Sequence, residues 1–209
     1  MKSINAFFLS ISILLLFGCN KGAGTFILEG VVTDASFNQP LAGAEVELYG
    51  INGGNNQYAL VASAVTGADG KYSFTFDRTR TEKYTLYVKK PLYFEQELEV
   101  YFSQLKLKET NIRNVSTTAQ SWVEIKIFNN NAANNDHLQF IRQQGKNGCS
   151  ECCFSGITHL YGFQDTSIFC INDGNSLYSI EYAVFGTSNT GILGVTTTPF
   201  DTTVLNLTY

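Results

Sequence analysis

Residues 43–50 read GAEVELYG, and this stretch decides the fold class. Ala44, Val46 and Leu48 alternate with Glu45 and Glu47. An apolar–polar alternation with a period of two residues predicts a β-strand with one buried face. Since a strand of this kind cannot bury its apolar face alone, the segment must pair with other strands in a sheet.

The same alternation recurs on both sides of this stretch, in residues 25–34 (TFILEGVVTD), 70–77 (GKYSFTFD), 83–90 (KYTLYVKK) and 93–102 (YFEQELEVYF). Turn signals rich in Asn, Gly, Pro and Asp separate the strands. They lie at residues 38–40, 53–56 and 68–70. Short strands at this spacing predict an antiparallel β-sandwich. We expect Val46, Leu48, Tyr72, Phe74, Leu86 and Val88 in its core.

Three short motifs resemble the carboxypeptidase regulatory-like domains. They are residues 30–34 (GVVTD), 40–46 (PLAGAEV) and 69–74 (DGKYSF). These domains are related to the transthyretin-like and collagen-adhesin B-type sandwiches, and the resemblance covers roughly residues 25–105. It implies a seven-strand accessory domain that is commonly attached to enzymes, transporters or adhesins and is not catalytic itself.

The strand pattern restarts near residue 118, after a boundary at residues 116–120. Six further strands are predicted, beginning with residues 121–128 (SWVEIKIF), and residues 172–175 (NDGN) predict a hairpin turn between two of them. The sequence therefore predicts an all-β chain with two antiparallel β-sandwich domains in tandem, residues 25–117 and 118–209. The second sandwich resembles no particular family.

The first 18 residues have the features of a secretory signal. Lys2 is followed by an apolar stretch that is too short to span a membrane, which takes roughly 20 residues. The junction of residues 16–19 (LFGC) resembles the lipobox of bacterial lipoproteins, although Phe17 is bulky for that position. The resemblance implies removal of residues 1–18 and lipidation of Cys19. An ordinary signal peptide with an incidental cysteine is the alternative.

A lipidated Cys19 would anchor the protein to a membrane through residues 19–24, which form a short flexible tether. Asn20 stands where lipoproteins of the inner membrane often carry Asp, which favours the outer membrane. The tether lacks the acidic cluster that directs some lipoproteins to the cell surface, which favours the periplasmic face.

The composition argues against nucleic acid as a partner. The 209 residues carry a net charge of -4, and the pI of the chain is about 5.2. Nucleic-acid-binding domains usually present a basic surface.

Four cysteines follow Cys19, namely Cys149, Cys152, Cys153 and Cys170. An even number in an exported chain favours disulfides, while a zinc site, a redox C-x-x-C pair and free thiols are the alternatives. Zinc is disfavoured because adjacent side chains in an extended chain point to opposite sides. The preferred pairing is Cys153 with Cys170 and Cys149 with Cys152, because Cys153 begins one predicted strand and Cys170 lies late on the next. The other pairings, which join Cys170 to Cys152 or Cys149, remain open.

The sequence contains no recognisable catalytic set. His137 and His159 both lie in strand patterns and are interpreted as structural, and no metal or other cofactor is expected. Trp122 alternates with buried positions and is a possible stacking platform for a sugar, although packing under a loop or between domains is the more common role.

Glu95, Glu97 and Glu99 form a row of carboxylates about 7 Å apart on one strand face. This row is either a site for a cation or basic partner, or a solvated face paired with the preceding strand. A hairpin loop at residues 90–92 would place Glu95 opposite Tyr87, with Glu97 and Glu99 opposite Thr85 and Lys83.

Two functions agree with these features, and neither is enzymatic. The first is an envelope lipoprotein that acts as a structural or protein-interaction module. The second is a glycan- or peptide-binding lipoprotein that is accessory to an outer-membrane transporter. A hydrolase would require carboxylates or histidines brought together by folding.

Overall fold

A computed structural model describes residues 24–52, 57–79, 81–131, 135–153 and 155–209. The predicted signal peptide (residues 1–18), its lipidated Cys19 and the turn at residues 53–56 lie outside the described residues. In the described part of the chain, no helix is both long enough and apolar enough to cross a membrane. The only helical element described is a 3₁₀ turn at Phe102–Gln104.

The first half of the chain forms a sandwich of two sheets. One sheet has the order β4–β3–β6–β7, with β3 (Glu45–Asn52), β4 (Tyr58–Val65), β6 (Thr81–Lys89) and β7 (Gln96–Tyr101). The other is built around β1 (Thr25–Asp34), which pairs antiparallel with β2 (Gln39–Pro40) and β5 (Lys71–Asp77). Two short strands pair parallel to β1, namely β8 (Thr110–Ile112) and β9 (Val115–Thr117).

All six core residues predicted for the first sandwich are buried between its sheets. They share this core with residues of β1 such as Phe26 and Leu28, which are almost completely buried. The alternation is strict on β5, where apolar residues are buried and their polar neighbours exposed. The motif glycine Gly30 has a further role, because a Cβ there would lie 1.8 Å from the carbonyl oxygen of Arg113.

The second half forms a second sandwich. Its first sheet has the order β13–β10–β16, in which β10 (Gln120–Phe128) pairs antiparallel with β13 (Asp165–Asp173) and parallel with β16 (Thr202–Thr208). Its second sheet has the order β12–β11–β14–β15, with β11 (His137–Gln144), β12 (Thr158–Tyr161), β14 (Leu177–Val184) and β15 (Thr190–Thr196). The predicted all-β class with antiparallel sandwiches is therefore confirmed, although three strand pairs are parallel.

Five strands were not predicted, namely the very short β2, β8 and β9 and the longer β4 and β15. β4 (YALVASAV) consists largely of small residues, and in β15 (TGILGVT) glycines stand at Gly191 and Gly194. Neither sequence alternates large apolar with polar residues, so the period-two criterion misses both. Each strand lies at the edge of its sheet, where less of the side-chain surface needs to be apolar.

The predicted hairpin at residues 172–175 is wrong. β13 pairs with β10 and β14 pairs with β11, so the turn carries the chain from one sheet to the other. Asn175 has a φ of 56°, a backbone angle that Asn tolerates better than most residues. The Asn and Gly residues therefore indicated the turn correctly but not the sheets that it joins.

The predicted register between β6 and β7 is also wrong, by two residues. Glu97 lies opposite Tyr87, Glu99 opposite Thr85, and Tyr101 opposite Lys83. The connection is longer than the three residues expected, because Tyr93 forms a bridge with Ala119 instead of starting β7.

Candidate functional site

The outer face of the β3–β6–β7 layer carries a cluster of aromatic and charged side chains. The strand register brings three tyrosines, four carboxylates and two lysines to this face, and the charge of Glu95, which precedes β7, acts on Lys89. We call it the tyrosine–carboxylate face, and it consists of Tyr49, Tyr87, Tyr101, Glu45, Glu47, Glu95, Glu97, Glu99, Lys83 and Lys89.

Both lysines of this face are bound by carboxylates of neighbouring strands. The Lys89 ammonium donates to Glu47 at 3.2 Å and lies 5.5 Å from the ring centroid of Tyr87. The Lys83 ammonium donates to Glu99, whose other oxygen accepts a hydrogen bond from the Tyr101 hydroxyl at 2.6 Å. The face therefore already holds cations by ion pairing and by contact with an aromatic ring.

The pKa shifts reflect the same arrangement. The hydrogen bond to Glu99 raises the pKa of Lys83, and the hydrogen bond to Glu47 raises that of Lys89. Burial, followed by the negative charge of Glu97, raises the pKa of Tyr87. The lysines thus stay charged, while the tyrosine keeps its proton and the ring stays electron-rich and neutral.

Thr85 lies at the centre of this face and is completely buried by its neighbours. Its side-chain hydroxyl has no hydrogen-bond partner among the described residues. Tyr49 and Glu99 stand opposite it on the flanking strands, and the ring of Tyr49 packs edge-on against that of Tyr87 with centroids 5.6 Å apart. A buried hydroxyl without a partner costs about 1–3 kcal/mol, so the face contains an unused hydrogen-bonding group.

A second cluster lies on the outer face of the β12–β11–β14–β15 sheet. His137 and His159 meet there, with Nε2 of the first 2.8 Å from Nδ1 of the second. The His137 ring stacks on Tyr161 on one side and on Phe185 on the other. We call these four residues the histidine–aromatic cluster. Sequence reasoning placed both histidines on strands but did not bring them together.

The four cysteines form two disulfides. Cys149 is bonded to Cys152 and Cys153 to Cys170, which is the pairing that the sequence favoured. Cys170 lies on β13 and is fully buried, whereas Cys153 precedes β12. The second disulfide therefore ties the loop between β11 and β12 to the edge of β13, where the backbone N–H of Ile171 also donates to the backbone carbonyl oxygen of Glu151 at 3.1 Å.

The loop tied down by the disulfides reaches the first domain through Lys146. The Lys146 ammonium lies 3.8 Å from the ring centroid of Phe94 and donates to Asp173 at 2.7 Å. Asp173 also accepts a hydrogen bond from the Thr118 hydroxyl in the connection between the domains. This set of contacts joins the cysteine loop, β13 and the first domain.

Aromatic rings form the other part of the contact between the two domains. Phe200 of the second domain packs against Phe37 and Tyr93 of the first, with centroids 6.2 and 5.4 Å apart. The Tyr93 hydroxyl donates to the buried carboxylate of Asp34 at 2.8 Å. Burial and this hydrogen bond raise the pKa of Tyr93, which therefore stays protonated and keeps donating to Asp34.

Trp122 is half-buried on the outer face of β10, with Ile171 and Thr202 opposite it on the adjacent strands. In the described part of the second domain, the ring contacts gather around His137 rather than around this side chain. Its role as a ligand platform stays a prediction.

The described residues contain no group of three or more His, Cys, Asp or Glu side chains placed to hold a metal ion. The carboxylates of the tyrosine–carboxylate face and the two histidines lie in different domains, so among the described residues they do not form one site.

Solved structures with similar folds include catechol 1,2-dioxygenase from Acinetobacter radioresistens, at 15% identity and a TM-score of 0.36. The match covers 46% of this chain and 52% of that one, so this chain spans about half the length of the dioxygenase. The Bacillus anthracis TIE protein matches at 16% identity and a TM-score of 0.40, over 89% of this chain and 34% of its own. These similarities concern the β-fold alone.

The shaft pilin SpaA from Lactobacillus rhamnosus GG, solved as a double mutant, has 7% identity and a TM-score of 0.35. That match covers 89% of this chain and 97% of the pilin. A comparison with curated proteins finds no match.

The family comparison identifies the first domain. Residues 27–120 match the family described as "Carboxypeptidase regulatory-like domain". The match begins within β1 and ends at the first residue of β10. It includes the three motifs that resembled this family in the sequence. Residues 27–120 are therefore a carboxypeptidase regulatory-like domain.

Proposed function

We propose that this protein is a non-enzymatic envelope lipoprotein whose first domain is a protein-interaction module. The observation that carries the proposal is the tyrosine–carboxylate face, which combines aromatic rings, an excess of carboxylates and the unpartnered hydroxyl of Thr85. Its chemistry fits a basic segment of another envelope protein, because carboxylates pair with Lys and Arg side chains and tyrosine rings attract their charge.

The lysines of this chain indicate how a partner would bind. Lys89 already combines an ion pair to Glu47 with a position above the Tyr87 ring. Glu97 is exposed beside that ring, and Glu95 and Glu45 are exposed on the same face. A Lys or Arg from a partner would find the same pair of contacts at Tyr87 and Glu97.

We expect a fluorescently labelled Lys- and Arg-rich peptide to bind the protein, and Glu97→Gln or Tyr87→Ala to weaken that binding about two- to fivefold each. This follows from the roughly 0.5–1 kcal/mol that exposed ion pairs and cation–π contacts contribute. Fluorescence anisotropy at low and high salt measures the effect, and added salt should weaken binding because it screens exposed charges.

Glu151→Gln is the matched control, because it removes the same charge from an exposed site in the second domain. Equal losses for Glu97→Gln and Glu151→Gln would reduce the effect to net charge and contradict a specific face. Salt-independent binding of a neutral glycan that is abolished by Tyr87→Ala would instead support the glycan-binding function and overturn the basic-partner proposal.

The location is a separate part of the proposal. Lipid on Cys19 would hold the two domains close to the outer membrane. The periplasmic face of that membrane is favoured over the cell surface. We expect mass spectrometry of the mature N-terminus to find Cys19 as the first residue, carrying a diacylglyceryl group. Cys19→Ala should leave the protein without lipid and release it from the membrane fraction. An unacylated N-terminus at another residue would contradict this location.

A further inference from the structure

The two histidines of the histidine–aromatic cluster are the only histidines in the chain. His137 lies on β11 opposite Tyr161, and His159 lies on β12 opposite Gln139. They are thus diagonal neighbours on one sheet face, and their rings meet through Nε2 and Nδ1 at 2.8 Å. His159 is exposed and His137 is half-buried, so solvent reaches the place where the two nitrogens meet.

His137 is fixed in orientation by the rings beside it. Tyr161 stacks on it with centroids 4.2 Å apart and planes 18° apart, and Phe185 stacks on the other side at 4.3 Å and 6°. A ring held on both faces loses little further freedom when it binds a ligand, which lowers the entropic cost of binding. His159 has an exposed ring that can turn to complete a site.

We propose that His137 and His159 form a surface binding site for a divalent copper ion. Metal–imidazole bonds of about 2.0–2.1 Å that meet at a right angle place the two nitrogens about 2.9 Å apart. The observed 2.8 Å is close to this value. Right-angle ligand pairs belong to square-planar or tetragonal geometry, which Cu²⁺ adopts and for which imidazole is a suitable ligand.

A tetrahedral ion fits this pair less well. At the same bond length, a tetrahedral angle would separate the nitrogens by about 3.3 Å, so the His159 ring would have to move further from His137 than a right-angle geometry requires. The geometry therefore favours copper over zinc. The remaining positions around the ion would be filled by water or by a ligand from outside the chain.

Binding requires a lone pair on both facing nitrogens. In the free pair, one ring nitrogen donates its hydrogen to the other, as the 2.8 Å contact indicates. When the ion binds, the donating ring carries its hydrogen on its other nitrogen, so that no proton needs to leave the pair if both rings are neutral. The ion then lies beside the line between the nitrogens, and the exposed ring of His159 turns towards it.

The test uses the full chain without a histidine tag, titrated with Cu²⁺ and followed by electron paramagnetic resonance. We expect one ion per chain, with superhyperfine structure from two imidazole nitrogens. His159→Gln and His137→Gln should each leave a single nitrogen and weaken binding at least about tenfold, which corresponds to about 1.4 kcal/mol. Gln143→Ala, on the same face of β11, keeps both histidines and should bind like the unchanged protein.

The number of imidazole nitrogens that the spectrum of the unchanged protein shows around copper tests the proposal even if a variant folds poorly. A spectrum without two imidazole nitrogens would overturn the proposal. Copper affinity that survives when both histidines are replaced would overturn it as well, because the ion would then be held elsewhere. The proposal is independent of the tyrosine–carboxylate face, since the two sites lie in different domains.

Discussion

Phe74→Ala is expected to lower the free energy of unfolding of the first domain by about 3–5 kcal/mol, the range for truncating a buried aromatic side chain. Phe74 is only 4% exposed and lies opposite Leu28 on β1. Its ring contacts that of Tyr72, with centroids 5.4 Å apart. Because Phe74 belongs to the core between the two sheets of the sandwich, its truncation would open a cavity there.

Chemical denaturation followed by far-UV circular dichroism measures this loss. Thr75→Ala is the matched control, because Thr75 is the next residue of the same strand and is exposed on the opposite face. We expect it to change stability by less than about 0.5 kcal/mol. Trp122 is the only tryptophan and lies in the second domain, so its fluorescence follows that domain separately. Equal stabilities of the two variants would contradict the burial of the Phe74 ring in the core of the first domain.

The contrast between these neighbours shows which part of the fold is visible in the sequence. Phe74 and Thr75 alternate because one face of β5 is buried and the other meets water, and the period-two criterion detects this difference directly. β4 and β15 lie at sheet edges and carry small residues, so their sequences lack the contrast. Sequence patterns therefore predicted the sandwich and its core but undercounted its edge strands.

The candidate sites depend on register, and local patterns do not determine register. The carboxylate row was recognised, but Glu97 meets Tyr87 only because the β6–β7 connection is longer than expected. His137 and His159 are 22 positions apart, and only the pairing of β11 with β12 brings their rings together. Proximity between strands depends on loop length and on the partner that each strand selects, and neither has a signature within a single strand.

Removal of the Cys153–Cys170 disulfide should destabilise the second domain by about 3 kcal/mol. A bond that closes a loop of this size restricts the unfolded chain by roughly that amount. The bonded cysteines are 17 positions apart. Cys170 is also fully buried in the core of the second domain, where the hydroxyl of Tyr178 donates to its sulfur at 3.2 Å. The double replacement by alanine therefore loses packing as well as the covalent link.

The other disulfide provides the comparison. Cys149 and Cys152 are only 3 positions apart, so the same chain-entropy relation gives about half the effect. Trp122 fluorescence during denaturation should show the larger loss for Cys153→Ala/Cys170→Ala and the smaller one for Cys149→Ala/Cys152→Ala. The opposite order would contradict the view that the longer bridge secures the loop to β13.

The consequence should extend to the contact between the domains. The loop held by Cys153 and Cys170 includes Lys146, which joins Phe94 of the first domain to Asp173 of β13. When the loop is released, Lys146 loses the restraint that holds it over the Phe94 ring. We therefore expect the Cys153→Ala/Cys170→Ala chain to unfold in two separate transitions. The denaturant midpoints of these transitions should lie further apart than in the unchanged protein. Phe74→Ala leaves this loop intact, so it should lower the denaturant midpoint of the first-domain transition without loosening the cysteine loop. The two variants together therefore separate the contribution of core packing from that of the contact between the domains.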